Sequence, residues 1–457
     1  MNADASKLNA VSVRRMKRRV ELGVQRATSR LVSPEKQGEA EAPTRKPRLA
    51  IFRRHSLLDG KPVNYAKRPG EAEAHPFFGK PPFNVGDNFV SLALARILDV
   101  EDFCVLTHEA PEHYFDYVNE HCDAIIFVAQ NCLFPGFFGK YLPARFIEKR
   151  IKIPIIFMSL GLQFGLEETP HLEEADVASL KALHERCVSS QVRGEQSADL
   201  LSRYGITNTR VVGCPSLFWS LNRDHKIASP SFDRVGWTIT NMGSRPELDA
   251  FQTEAMSQLG KKAKAFIPIC QGGEVVLQRH IIARDCLSVG PRTTTRMQLT
   301  KGEEPVLHPF ADVSHEPWSL LDCKIEPYDT KLLEQQVDHI YSGLPARARR
   351  AVVEDSFFSF ETHEYMRNAK SLSLMAGTRL HGNIMALSQG VPALFACHDR
   401  RVEEMADLFN APRFDIRNPK GAFHLKNYDW SATNTQYRVL YDRFVDFLNE
   451  NKLAHRL

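Results

Sequence analysis

Short apolar runs that alternate with helical patterns constrain this chain more than any other feature. Asp123 to Ala129 is almost continuously hydrophobic, a pattern that suits a strand covered on both faces. Arg48 to Phe52, Phe103 to Thr107, Ile153 to Gly161, Cys187 to Arg193 and Thr209 to Cys214 are further strand candidates. Between them, Asp87 to Leu98, Leu172 to Arg186 and Glu195 to Tyr204 carry helical spacing. Strands of this kind separated by helices imply a parallel, doubly wound sheet. The rhythm breaks around Pro215 to Pro230, then restarts with Arg234 to Thr240, a helix near Pro246 to Leu259, and Lys264 to Cys270. It resumes with Ser371 to Ala376, a helix from about Leu380 to Gln389, Val391 to Cys397, and a helix from Arg400 to Phe409. The expected fold class is α/β, with two Rossmann-like domains.

The expected division is an arm and linker over 1–47, an N-terminal domain over 48–225, a C-terminal domain over 230–430, and a helical segment over 431–457. Within the second domain, Gln271 to Pro327 lacks a regular pattern and reads as an excursion. Tyr437 to Leu453 reads as the last helix, with Val439, Leu440, Phe444, Phe447 and Leu448 on its apolar side. Trp237 is expected in the core, whereas Tyr365 and Arg367 are expected to face solvent. No internal repeat is visible, which excludes solenoids and propellers.

Charge is unevenly spread. The 457 residues carry 59 Lys plus Arg against 55 Asp plus Glu, a net charge of +4. The first 50 residues hold 12 basic and 5 acidic side chains, or +7, which leaves −3 for the remainder. A body without excess positive charge has little to drive counterion release, so nucleic-acid binding is not expected of it. In the arm, Val13, Met16, Val20, Val24, Ala27 and Leu31 recur at spacings of three and four, with Arg14, Arg15, Lys17, Arg18 and Arg19 among them. This basic amphipathic pattern fits an interfacial helix on anionic lipid, a short coiled-coil seam, or a solvated extension. Any peripheral membrane contact is expected through the arm.

Nine cysteines stand singly, without the two-residue spacing of a zinc or redox pair, and read as reduced core thiols. His280, His308 and His315 lack ligand spacing, and no metal site is expected. Gly272-Gly273-Glu274 lacks the third glycine of a dinucleotide fingerprint and reads as a loop. There is neither a long apolar run nor a signal core near Met1. The expectation is a cytoplasmic enzyme, associated at most with the inner face of a membrane.

Met375 to Pro392 carries the most chemistry. A β-type run ends at Ala376, a Gly-Thr turn follows, and Arg379, Leu380, His381 and Gly382 stand where the next helix begins. A helix start offers free amides and partial positive charge, so an Arg and a His placed there suit phosphate or carboxylate. The plainer alternative is a capping or surface role.

The run Thr378-Arg379-Leu380-His381-Gly382, continuing through Ala386-Leu387-Ser388 to Gly390-Val391-Pro392, resembles the C-terminal hallmark of the polysaccharide pyruvyl transferases. Arg401, Val402 and Glu404 to Leu408 are similar to the family's next helix. Asn84-Val85-Gly86-Asp87-Asn88 resembles its opening Asn-x-Gly-Asp, and Val192-Arg193-Gly194-Glu195-Gln196-Ser197 its Val-Arg-Asp-x-x-Ser. Ser159-Leu160-Gly161-Leu162-Gln163 is similar to its central strand and loop, and Val211 to Ser216 to its strand before the interdomain passage. The chain departs from the pattern at Ala129-Gln130-Asn131, where a glycine cluster is common, and at Gly194, where an acidic residue is usual.

The resemblance implies a GT-B-like fold, two Rossmann-like domains with parallel sheets facing across a cleft. It implies phosphoenolpyruvate as donor substrate, with no separate cofactor, and a saccharide or lipid-linked saccharide as acceptor. Arg379 and Arg193 would each grip an anionic end of the donor, since a guanidinium fork matches both phosphate and carboxylate. His381 would donate a proton or bind the phosphate, and a trianionic ligand beside it would raise its pKa. Asp87 would act as base or position the acceptor, or would simply cap its helix. Leu380, Gly382 and Asn84 complete the implied binding set. Alternatives are a nucleotide-sugar glycosyltransferase or epimerase on the same architecture, and a non-catalytic glycan-binding homologue.

Overall fold

The structure is a computed structural model that describes residues 46–53, 57–58, 61–62, 85–100, 102–106, 110, 112–240, 246–271, 343–357 and 362–457. The amphipathic pattern of the arm, Asn84, and nearly all of the 271–327 excursion lie outside the described residues.

In chain order the first half runs β1 (Arg48–Arg53), α1 (Val85–Ile97), β2 (Asp102–Leu106), α2 (Glu112–His121), β3 (Ala124–Val128), α3 (Phe137–Tyr141), α4 (Ala144–Arg150) and β4 (Ile155–Met158). It continues with α5 (Glu174–His184), β5 (Ser190–Val192), α6 (Glu195–Arg203) and β6 (Thr209–Val211). The main sheet has the order β2-β1-β3-β4, with every neighbour parallel. A bridge between Leu160 and Val192 ties the parallel pair β5-β6 to the end of β4. β3 and β4 are buried along their whole length, as unbroken apolar strands require.

The second half runs β7 (Arg234–Thr238), α7 (Pro246–Lys262), β8 (Ala265–Ile269), α8 (Ala346–Glu354), α9 (Thr362–Lys370), β9 (Leu374–Gly377), α10 (Leu380–Ser388), β10 (Ala393–Cys397), α11 (Arg400–Leu408), β11 (Arg413–Asp415) and α12 (Ala432–Glu450). Its sheet has the order β8-β7-β9-β10-β11 and is also wholly parallel. The two-sheet α/β class read from the sequence is the one observed. In both sheets the chain steps to one edge and then crosses back over its first strand. This places a topological switch between β1 and β3 and another between β7 and β9, where open α/β sheets present ligand crevices at their strands' carboxyl ends.

Apolar packing joins the halves. Phe89, Val90 and Leu94 of α1 share a core with Leu217 and Phe218 of the short Pro215–Phe218 turn and with Leu380, Ile384 and Leu387 of α10. The same core takes in Tyr437, Phe444 and Leu448 of α12. α12 thus returns to the first half, where Asp442 receives a bidentate pair of bonds from Arg223 at 2.7 and 2.8 Å and Ser189 donates to Glu450 at 3.0 Å.

Several local expectations change. Ile153 to Gly161 is not one strand: β4 stops at Met158 because Ser159 adopts a φ of 62°. Tyr365 is 2% exposed, not solvent-facing, and packs edge-on against Phe357 with centroids 5.0 Å apart. Val439 is 41% exposed, while Leu440, Phe444, Phe447 and Leu448 are buried. α2, α3 and α4 have no counterpart in the sequence reading, and α12 starts before Tyr437. Trp237 is fully buried between Phe251 and Phe423. Among the described cysteines, five are buried and Cys187 is half-buried, all as free thiols.

His184 makes the fold acid-sensitive. The ring stacks on Phe157 at 4.9 Å, Nδ1 donates to the Leu180 carbonyl at 2.8 Å, and Nε2 accepts from Ser190 Oγ at 3.0 Å. Burial pushes its pKa down to about 4, only partly offset by the Leu180 bond. The unfolded chain therefore binds the proton first as pH falls, so stability present above the ordinary histidine value is lost toward about pH 4. The expected loss from this group is about 3 kcal/mol. It is checked by urea denaturation near neutrality and near pH 4, with His184→Phe expected to remove that part of the acid loss.

Candidate active site

Thr238, at the end of β7, builds the turn that carries the second half's site residues. Its carbonyl accepts from the Thr378 amide at 3.4 Å and the Thr378 hydroxyl at 3.3 Å, and its Oγ1 accepts from the Arg379 amide at 3.2 Å. Gly377 ends β9 with a φ of 146°, and a Cβ there would lie 2.7 Å from both N and O of Thr238. Only glycine meets both the backbone angle and the approach. Asn383 Nδ2 donates back to the Gly377 carbonyl at 3.0 Å, which closes the turn onto the first turn of α10. The turn therefore straddles the β7/β9 switch.

Arg379 is the N-cap residue of α10, and its Nε donates to the Ile239 carbonyl at 3.3 Å. Leu380 is 3% exposed within the shared apolar core. Gly382 faces Thr238, whose Cγ2 would be 2.5 Å from an added Cβ. His381 is 6% exposed, and a side chain at Gly86 would come within 2.6 Å of its Cβ. The start of α1 is thus pressed against the imidazole. Asp87 follows Gly86 in that first turn; its side chain and all of Asn84 lie outside the description.

The first half brings Arg193 from the end of β5. It is 1% exposed; its amide donates to the Leu160 carbonyl at 2.9 Å and its Nε to Ser159 Oγ at 3.0 Å. The strained Ser159 backbone thus aims a hydroxyl at the guanidinium. Arg193 Nη2 lies 3.4 Å from His381 Nε2, a contact between residues 188 apart in sequence. Cys214 Sγ is 3.9 Å from the same nitrogen and 3.0 Å from Ser216 Oγ. A guanidinium can only donate, so Nε2 acts as acceptor and the imidazole is neutral with its proton on Nδ1. Burial, then the charges of Arg193 and Arg401, hold the His381 pKa well below the ordinary histidine range. The raised value expected beside a trianion is therefore not a property of the chain alone.

Three sets of contacts, at positions the family motifs mark, could not be read from the sequence itself. Arg401 Nη2 donates to Asp399 Oδ2 at 3.1 Å, and Asp399 Oδ1 caps α11 by accepting from Val402 N at 2.9 Å. Arg401 Nε is buried with no hydrogen-bond partner among the described residues. Glu404, 3% exposed, fills the space beside Gly194, where the resemblance leads one to expect an acidic side chain. The Ala129-Gln130-Asn131 segment, lacking glycines, bends through a φ of 21° at Gln130 and is pinned by Asn131 Nδ2 donating to Gln163 Oε1 at 2.6 Å. Among the described residues no cluster could hold a metal ion, and no helix is long and apolar enough to cross a membrane.

Two parallel sheets whose strand ends converge on a buried arginine and histidine define a two-lobed α/β protein with a cationic junction. Residues 84–396 match the family model "Polysaccharide pyruvyl transferase", well over half of the chain. The chain belongs to that family. A search of curated proteins finds no match. Among solved structures, the UDP-GlcNAc 2-epimerase of Methanocaldococcus jannaschii in complex with UDP-GlcNAc and UDP is 10% identical, with 88% of this chain and 99% of that chain covered and a TM-score of 0.43. The Staphylococcus aureus MnaA–UDP co-structure is 9% identical, covers 89% and 98%, and has a TM-score of 0.42. At these scores the likenesses carry no weight for function.

Proposed function

We propose that this transferase moves the pyruvyl group of phosphoenolpyruvate onto two hydroxyls of one saccharide, forming a cyclic ketal and releasing phosphate. The observation that carries the reading is the contact between Arg193 and His381 at the meeting point of the two sheets. Protonation of the donor's methylene carbon develops positive charge at C2; one hydroxyl adds there and loses its proton, and the second, also giving up its proton, displaces phosphate as the bond between C2 and the bridging oxygen breaks. One hydroxyl proton thus replaces that given to the methylene carbon, and the other leaves with the phosphate. Such a site needs cations for a phosphate and a carboxylate, a proton donor, and a base. Arg193 and Arg379 supply fixed charge, Arg401 adds a third guanidinium near His381, and His381 passes a proton or holds the phosphate. Asp87, which follows Gly86 in the first turn of α1, is assigned to the acceptor hydroxyls. The acceptor is a saccharide, free or lipid-linked, and any membrane contact is assigned to the basic arm.

The test compares ligands before products. Phosphoenolpyruvate is expected to raise the thermal midpoint, by about 2.7 kcal/mol of stability at a hundredfold excess over Kd, while UDP leaves it unchanged. With a panel of glycans the protein should then release phosphate and yield an acid-labile product heavier by one carboxyethylidene group. Stabilisation by UDP alone would favour the nucleotide-sugar alternative. Glycan binding without turnover would favour a non-catalytic homologue.

A further inference from the structure

Helix α6 begins without a cap of its own. Its N-cap is Gly194, which has no side chain to receive the free amides of the first turn. The Ser197 amide instead donates to Glu404 Oε1 at 2.6 Å, and the Ser197 hydroxyl donates to Glu404 Oε2 at 2.9 Å. Glu404 belongs to α11 in the other half, 207 residues further along the chain. Its stem blocks position 194, where an added Cβ would come within 2.8 Å of Glu404 Cδ. The backbone at Gly194 is extended, with a φ of −173°, so it is the carboxylate's presence and not the conformation that demands glycine. Arg193 immediately precedes this cap. Whatever fixes the start of α6 fixes the anchor of that guanidinium.

We propose that Glu404 is a positioning residue of the site: its carboxylate, delivered from α11, caps α6 and so holds Arg193 in register with His381 across the junction. Negative charge at a helix start and two bonds to an ionised group both favour the arrangement. Desolvation opposes it and pushes the Glu404 pKa up to about 7, against the Ser197 bonds and the Arg193 charge, with Glu195 adding repulsion. Those groups face it from the first half. On its own side Asp399 and Arg401 flank the start of α11, next to His398, and His381 lies beyond Arg193. Because the folded-state value is raised, the stability held by the neutral form is complete below the ordinary carboxyl value and is lost as pH rises through about 7. A glutamine at 404 can keep both bonds without that loss.

The inference rests on the pyruvyl-transfer reading only for the choice of probe. Thermal unfolding is measured with and without phosphoenolpyruvate. Glu404→Ala is expected to lower the midpoint and to weaken the donor's affinity about tenfold, the scale of one charge-assisted hydrogen bond. Glu404→Gln should keep the donor response, and its stability relative to the parent should grow from about pH 5 to about pH 8. Gly194→Asp alone should destabilise through the clash with Glu404. Combined with Glu404→Ala, it puts a carboxylate on the N-cap from its own side and should restore both midpoint and donor response. A Glu404→Ala protein with undiminished donor affinity would make Glu404 merely structural, and a double variant no better than either single one would remove the cap. If the parent shows no response to phosphoenolpyruvate, the functional reading fails, and the midpoints of the parent and its four variants still judge the cap.

Discussion

His381→Gln is expected to lower phosphate release from phosphoenolpyruvate on the order of a thousandfold, the range of a lost proton-transferring group in a preorganised site. Glutamine approximates the ring's volume and can still accept at one end, so the thermal midpoint should shift far less than the rate. The expectation follows from placement: His381 touches Arg193, the start of α1 and Cys214 together. Its state matters as well. With burial and two arginines holding it neutral, the imidazole begins as an acceptor. Under the proposed reading, a proton can rest there once the bound polyanion offsets those arginine charges, which would couple acid catalysis to occupancy by the donor. Single-turnover phosphate release by the variant at the parental rate would remove His381 from the chemistry.

The largest loss of stability is expected from Gly377→Ala. A methyl group there is strained by the φ of 146° and would collide with the backbone of Thr238 on the neighbouring strand. Backbone strain and displacement of β7 together should cost more than about 3 kcal/mol. Gly205→Ala is the control. Gly205 has a φ of 82° but nothing within 4 Å of the added carbon, so only the conformational cost remains, about 1 kcal/mol. Urea unfolding of the two variants separates the terms. Equal midpoints would mean that the Thr238 clamp does not hold the turn.

The parts of the fold that were legible in the sequence are those where one local pattern has one structural solution. Ala124–Val128 and Ala393–Cys397 are buried on both faces, so their apolar runs could hardly be anything but inner strands. The Arg379 to Gly382 motif was legible for a similar reason, since strand, turn and helix start follow one another directly. Legibility fails where tertiary context decides. The left-handed backbone at Ser159 cannot be inferred from an apolar run that continues to Gly161. Tyr365 sits in a polar helix, Thr362–Lys370, yet its ring faces the core. Glu404 finds Ser197 across a separation that no periodicity spans. His381 shows the same limit for charge: its neighbours in sequence suggest an anion site, whereas its neighbours in space set its resting protonation.

The near-complete enclosure of Arg193 and His381 has a kinetic corollary. A three-carbon phosphate cannot reach a guanidinium that is 1% exposed and an imidazole that is 6% exposed unless the packing around them opens first. Under the proposed reading, capture is then paced by how often the junction breathes, well below the diffusional encounter rate. The junction would act as a turnstile, admitting one donor per opening and keeping bulk water from the enol ester between admissions.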